Sequence, residues 1–342
     1  MALNLFDDRP ERLRTKMSAM AGLLAVANGG AWAWALAAFH DRPLLLAAAA
    51  LAYMLGLRHA FDADHIAAID NTVRKLMQDG KAPFSAGFFF SLGHSSVVML
   101  ATLGISLTAG AWFRHVEEVR AVGGFIGAAV SAVFLLVVGF VNLVVLRDLV
   151  QAWSRAKLGQ EPADAGELML SGPFARFFRP LFKTISRSWG LFPIGFLFGL
   201  GFDTATEIGL LAIAASQVTQ GEAVLTVLVF PALFAAGMSL MDTVDSAMMT
   251  RVYRWAFVDP VRKLRYNIAI TAASVAAALF IGLLQAGALI ARGMESGPWA
   301  ALAGLSERVA GLGLAVAALF VLAWVVSVLR YRMSVRSEPV AR

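Results

Sequence analysis

The sequence predicts an all-α, polytopic membrane protein of about eight transmembrane helices, and three observations predict it. Of the 342 residues, 59% are hydrophobic and only 15% are charged, whereas a soluble domain carries about 25% charged residues; the mean hydropathy is +0.70. Apolar stretches longer than the roughly 20 residues that cross a hydrocarbon core of about 30 Å recur along the chain. These stretches are too long and too uniformly apolar for barrel strands, and a lipid-embedded segment must satisfy its own backbone, so they are helices.

The eight expected spans are residues 17–39, 44–71, 84–109, 121–146, 189–218, 223–250, 266–291 and 309–329, numbered I to VIII, within a single membrane domain covering 1–342. With the N-terminus inside, the inner segments carry 23 Lys and Arg and the outer segments 5. That bias places both termini in the cytoplasm and the chain in a cytoplasmic (inner) membrane. The polar N-terminal stretch MALNLFDDRPERLRTK reads as a cytoplasmic lead-in, not a cleaved signal. The one long loop, 147–188, carries basic residues, Gly-Pro and apolar patches such as FARFF, and is expected on the cytoplasmic side. This distribution accounts for the formal charge of +6 without a nucleic-acid partner.

With no cysteine, thiolate metal sites, disulfides and cysteine nucleophiles are excluded, and any metal must be held by nitrogen and oxygen. There are five histidines, His40, His59, His65, His94 and His115. Spans I, III, IV, VII and VIII carry no charged residue. Span II carries Arg58, Asp62, Asp64 and Asp70 with His59 and His65; span V carries Asp203 and Glu207; span VI carries Asp242 and Asp245; span III adds His94 in SLGHSS. A charge at mid-membrane costs about 2.5–3.5 kcal/mol on insertion scales, so the polar face of span II must meet helices, water or a cation, not lipid. Asp62, Asp64, Asp203, Glu207, Asp242 and Asp245 outnumber Arg58, the one base counted inside a span. Mutual pairing therefore leaves a deficit that protons or a cation must fill.

At about 100° per residue, His59, Asp62 and His65 share an arc of about 120°, which Arg58 joins, while Asp64 points to nearly the opposite side. A kink would bring Asp64 in; otherwise it serves a neighbouring helix. A single histidine in an apolar helix is more often a packed, hydrogen-bonded residue than a ligand, but two histidines and two aspartates within seven residues favour ligation. His94 is either a ligand or a partner behind one. Asp70 and Asn71 are expected to cap the inner helix end. Asp242 and Asp245 have Ser239, Thr243 and Ser246 as alternative partners. Met238, Met241, Met248 and Met249 read as gap-fillers, and His40 and His115 as solvated loop residues. Imidazole with carboxylate suits nickel, cobalt or zinc, whereas calcium or magnesium prefers oxygen alone.

GLRHAFDADHI in span II and GLGFDTATEI in span V share Gly-Leu followed by Phe-Asp, and Gly93-His94-Ser95 in span III matches Gly237-Met238-Ser239 in span VI. If spans I–III repeat as IV–VI, the odd number inverts the second copy, a transporter layout with its site at the repeat interface.

With these strings in view, the sequence resembles the nickel/cobalt transporter family. The family signature, a histidine, four residues, then Asp-His, is met by His59 and Asp64-His65 in RHAFDADHI. LGHSSVV (92–98), LGFDTATEI (200–208) and GMSLMDTVD (237–245) follow in order. The resemblance implies a permease that carries Ni²⁺ and/or Co²⁺ inward as its substrate, with no cofactor. It implies a need for His59, Asp62, Asp64 and His65, and contributions from His94, Asp203, Glu207, Asp242 and Asp245. Related exporters often carry a histidine-rich cytoplasmic loop, and 147–188 has no histidine. No GxxxxGK[ST] string is present, so the driving force is expected from a gradient, the membrane potential or a partner. A metal exporter on the same fold and a membrane-embedded metalloenzyme are the alternatives.

Overall fold

The computed structural model describes residues 5–107, 116–157, 186–200, 205–257 and 264–291. Asp203, His115 and span VIII lie outside the described residues. Among these residues the chain is all α-helical, with no strand. The helices are α1 (Leu13–Phe39), α2 (Pro43–His59), α3 (Ala63–Gln78), α4 (Ala86–Leu107), α5 (Val116–Lys157), α6 (Leu191–Gly199), α7 (Ala205–Thr219), α8 (Val224–Val227), α9 (Val229–Phe257) and α10 (Leu264–Ala291). A 3₁₀ turn at Ser188–Gly190 leads into α6. Among the described residues, five helical stretches are long and apolar enough to cross a bilayer: α1, α4, most of α5, α8–α9 together, and α10. The pair α2–α3, bent by 51° at its break, makes a sixth.

The expected span 44–71 is therefore a broken helix that runs further inward than its apolar stretch. Proline at the start of α2 fits a first helical turn, where its missing N–H costs nothing. At the other end, the amides of Phe61 and Asp62 close tight turns onto Arg58 and His59. Asp62 then adopts extended backbone (φ −66°, ψ 143°), and the chain restarts as α3. Asp70 and Asn71 cap nothing: α3 continues for two more turns and stops at Asp79–Gly80, where Gly80 takes φ +74°. Asp70 is fully buried and lies 3.8 Å from Arg74, which is itself buried and donates to Thr271 (2.8 Å) and Ser274 (2.6 Å) on α10. Asn142 on α5 donates to Asn71 at 2.6 Å. Likewise α5 stays helical to Lys157, past the point where the sequence starts its long loop.

Glycines at several helix crossings bring backbones unusually close. On α2, a Cβ built at Gly56 would lie 2.1 Å from the Phe234 carbonyl oxygen of α9; on α6, one built at Gly195 would lie 2.0 Å from the Phe90 carbonyl oxygen of α4. Only glycine admits such contact. One apolar core gathers Ile66, Ile69, Phe90, Leu135, Phe198 and Ile281; another gathers Phe39, Leu210, Phe230, Leu233 and Phe234. The polar centre lies where the two meet, since Phe90 and Phe234 both pack against its histidines. α1 is mostly exposed along its span, consistent with a lipid-facing position.

Candidate metal centre

Three elements converge at the break. His59 is the last residue of α2, His65 lies in the first turn of α3, and His94 lies in α4 beside Gly93, whose missing side chain lets α6 pack on that helix. The three side chains are buried, at 1%, 1% and 3% exposure. One nitrogen from each lies within 4.8 Å of the others. His59 Nε2 and His94 Nε2 are 2.9 Å apart, close to the ~3.0 Å between adjacent ligands that each sit ~2.1 Å from one ion. Two ligands on opposite sides of such an ion are at most ~4.2 Å apart, so the widest spacing has to tighten by a fraction of an ångström.

A carboxylate stands by each imidazole. Asp62 Oδ2 lies 2.8 Å from His59 Nδ1, leaving His59 Nε2 directed at His94. Asp242 Oδ2 of α9 lies 3.5 Å from His65 Nδ1. Glu207 Oε1, in the first turn of α7, lies 2.9 Å from His94 Nε2, on the nitrogen that faces His59. Carboxylates that accept from the far ring nitrogen fix the tautomer and raise the basicity of the other nitrogen, the arrangement that supports metal-bound histidine. Asp62 occupies that position toward His59; Asp242 stands beside His65 without a hydrogen bond to it, and Glu207 meets His94 on the nitrogen that faces His59. Thr206 Oγ1 lies 3.1 Å from His59 Nδ1.

Asp64 stands apart from the three histidines. One of its oxygens accepts from the His65 amide (3.0 Å) and the other lies 3.4 Å from Gln285 Nε2 on α10. The break falls at residues 60–62, before Asp64, and leaves it turned toward α10. Asp245 is buried, with one oxygen lacking a hydrogen-bond partner, and feels the charges of Asp70 and Asp242. Arg58, the base counted in span II, is half exposed and reaches Asp62 at 3.5 Å. The most deeply buried base among the described residues is Arg74, which the sequence assigns to an inner loop because its charge marks a membrane edge. Sequence patterning does not single out Ser131 and Gln285 either; each is an uncharged polar side chain in a span that carries no charged residue.

A helix pair bent at a break among long apolar helices, with buried histidines and carboxylates gathered at that break, has the make-up of a multi-pass membrane transport protein. The model of the family described as "High-affinity nickel-transport protein", NicO, matches residues 45–330, and the chain belongs to that family, the nickel/cobalt transporters. It is 50% identical over 333 residues to the hydrogenase nickel incorporation protein HupN of Bradyrhizobium diazoefficiens, covering 95% of this chain and 87% of the relative. It is 47% identical to a high-affinity nickel transport protein of Cupriavidus necator (94% and 93% covered). It is 43% identical to the cobalt transport protein NhlF of Rhodococcus rhodochrous (80% and 79% covered). No solved structure matches the chain.

Proposed function

We propose that this protein is a secondary transporter that imports Ni²⁺ and/or Co²⁺ across the cytoplasmic membrane. The observation that carries this reading is the buried His59–His65–His94 cluster, with Asp62, Glu207 and Asp242 each against one imidazole. A borderline-soft divalent cation matches imidazole and carboxylate donors. The names of the relatives, nickel for HupN and cobalt for NhlF, support the same pair of metals. In this reading the cation sheds water onto the histidines, takes Glu207 as a further ligand, and leaves inward past Asp242 and Asp245. Asp64 and Asp203 contribute to the same path. A negative-inside potential favours entry of a doubly charged ion by about 4.6 kcal/mol per 100 mV.

The proposal extends to architecture: one membrane domain, eight spans, and an inverted repeat of spans I–III in IV–VI. Pairing α6 with α7 as span V and adding residues 309–329 completes the eight. The repeat is supported by the matching crossings. Gly56 meets the Phe234 backbone as Gly195 meets that of Phe90, and Gly237 meets Tyr53 and Leu57 as Gly93 meets Phe192 and Phe196. This register pairs Gly56 with Gly195, one turn before the Gly199 that motif alignment selects.

The test is accumulation of ⁶³Ni²⁺ in intact cells, with cobalt and zinc as competitors. Import raises accumulation and His59→Ala abolishes the rise; an exporter lowers it, and wild-type accumulation by His59→Ala refutes the proposed site.

A further inference from the structure

The histidines line a cavity whose wall also holds Ser131 and Gln285, residues that the transport reading leaves unused. Its volume is about 20 Å³, room for a water or two. At about 10–15 Å³ per water by the same measure, a cation's six waters do not fit, so a cation crossing the cavity must exchange waters for groups of the wall. Its lining includes the three histidines and Glu207, and with them Asp64, Ser131 on α5 and Gln285 on α10. Those three are linked. Ser131 Oγ donates to Gln285 Oε1 at 2.7 Å, and Gln285 Nε2 points its N–H at Asp64 Oδ2 at 3.4 Å. Gln285 lies six residues before the end of α10, about 9 Å along the axis, at the end that the charge bias assigns to the outside.

We propose that Asp64, Gln285 and Ser131 form an approach station for the divalent cation, with Gln285 as its positioning residue. Ser131 anchors the amide, and the amide holds the Asp64 carboxylate toward the cavity. There it receives a partly hydrated cation before the histidines replace the remaining waters. Carboxylate and amide oxygens suit a cation that keeps much of its water; imidazole suits the desolvated one. The division of labour explains why Asp64 sits next to His65 in sequence yet bonds to Gln285 and not to an imidazole. The inference rests on the transport reading, because it presumes that the cluster receives the transported ion.

The experiment is ⁶³Ni²⁺ uptake kinetics, normalised to membrane-inserted protein. Gln285→Leu should raise the half-saturating concentration by about 5- to 20-fold, the scale of a lost coupled contact, with the maximal rate within about twofold. Ser131→Ala should move it in the same direction by less. In an Asp64→Asn background, Gln285→Leu should add nothing, since the carboxylate it positions is gone. If Asp64→Asn removes measurable uptake, the same cycle is read from equilibrium nickel binding to purified protein. An unchanged half-saturation in Gln285→Leu, a fall in maximal rate alone, or effects that multiply with Asp64→Asn would overturn the station. Such a result alongside loss of uptake in His59→Ala leaves the transport reading standing, whereas uptake unaffected by His59→Ala removes the transport reading itself.

Discussion

At the residue scale, the carboxylates behind the histidines make the sharpest claim. Asp62→Asn keeps the shape of the site but weakens the acceptor at His59 Nδ1. Loss of such a partner costs about 10- to 100-fold in metal affinity, so nickel binding measured by calorimetry should weaken by that order while the fold survives. Arg74 makes a different claim. Its guanidinium is buried against Asp70, Thr271 and Ser274, and removing one member of a buried pair costs about 3–5 kcal/mol. Arg74→Ala should therefore lower thermal stability in detergent without touching the ligands. The histidines of span II were legible because a dense run of imidazole and carboxylate side chains in an apolar helix demands a reason. His94 was half legible: it is the one other histidine inside a span, but its partners come from α2 and α7, and sequence spacing carries no information across helices. Arg74 was not legible, because a charge at the edge of an apolar stretch normally ends it, and here buried hydroxyls of α10 hold it inside.

At the element scale, the break in span II was foreseeable as one of two outcomes, since His59, Asp62 and Asp64 cannot share a face of a straight helix. Its location was not, because it depends on turns closed by Arg58 and His59 carbonyls. The glycine crossings are the counterpart. Gly56→Leu or Gly195→Leu would drive a side chain into the backbone of α9 or α4, and each should reduce the yield of folded protein seen by size-exclusion chromatography. A third element effect lies outside the membrane. Asp8 is buried between the start of α6 and the α3–α4 turn: its carboxylate accepts from the Ser188 amide (2.8 Å) and hydroxyl, and its carbonyl accepts from Ala82 (2.8 Å). Burial pushes its pKa above the usual carboxylate value, and the Ser188 bonds pull it partly back. The folded chain then holds the Asp8 proton more tightly than the unfolded chain. Stability from this residue is greatest below the ordinary Asp range and falls as pH rises through the folded pKa. Asp8→Asn, which keeps an acceptor and never ionises, should match wild type in acid and equal or exceed it at neutral pH in thermal unfolding. Asp8→Ala should fall below both at neutral pH.

At the scale of the whole molecule, the membrane class and the family follow from composition and four short strings, because lipid imposes long apolar helices and leaves few places for polar atoms. What the sequence could not supply is how spans II, III and V meet, a matter of packing at glycines. Collapsing the membrane potential with an ionophore should slow nickel uptake in proportion to the charge moved, which uptake at clamped potentials checks. The most direct test of the central claim is the nickel X-ray absorption spectrum of metal-loaded, purified protein. Three histidines on the ion should give imidazole scattering with nitrogen at about 2.1 Å, the usual metal–imidazole distance, reduced by one ring in His94→Ala. A spectrum with oxygen ligands alone, or one that His94→Ala leaves unchanged, would contradict it.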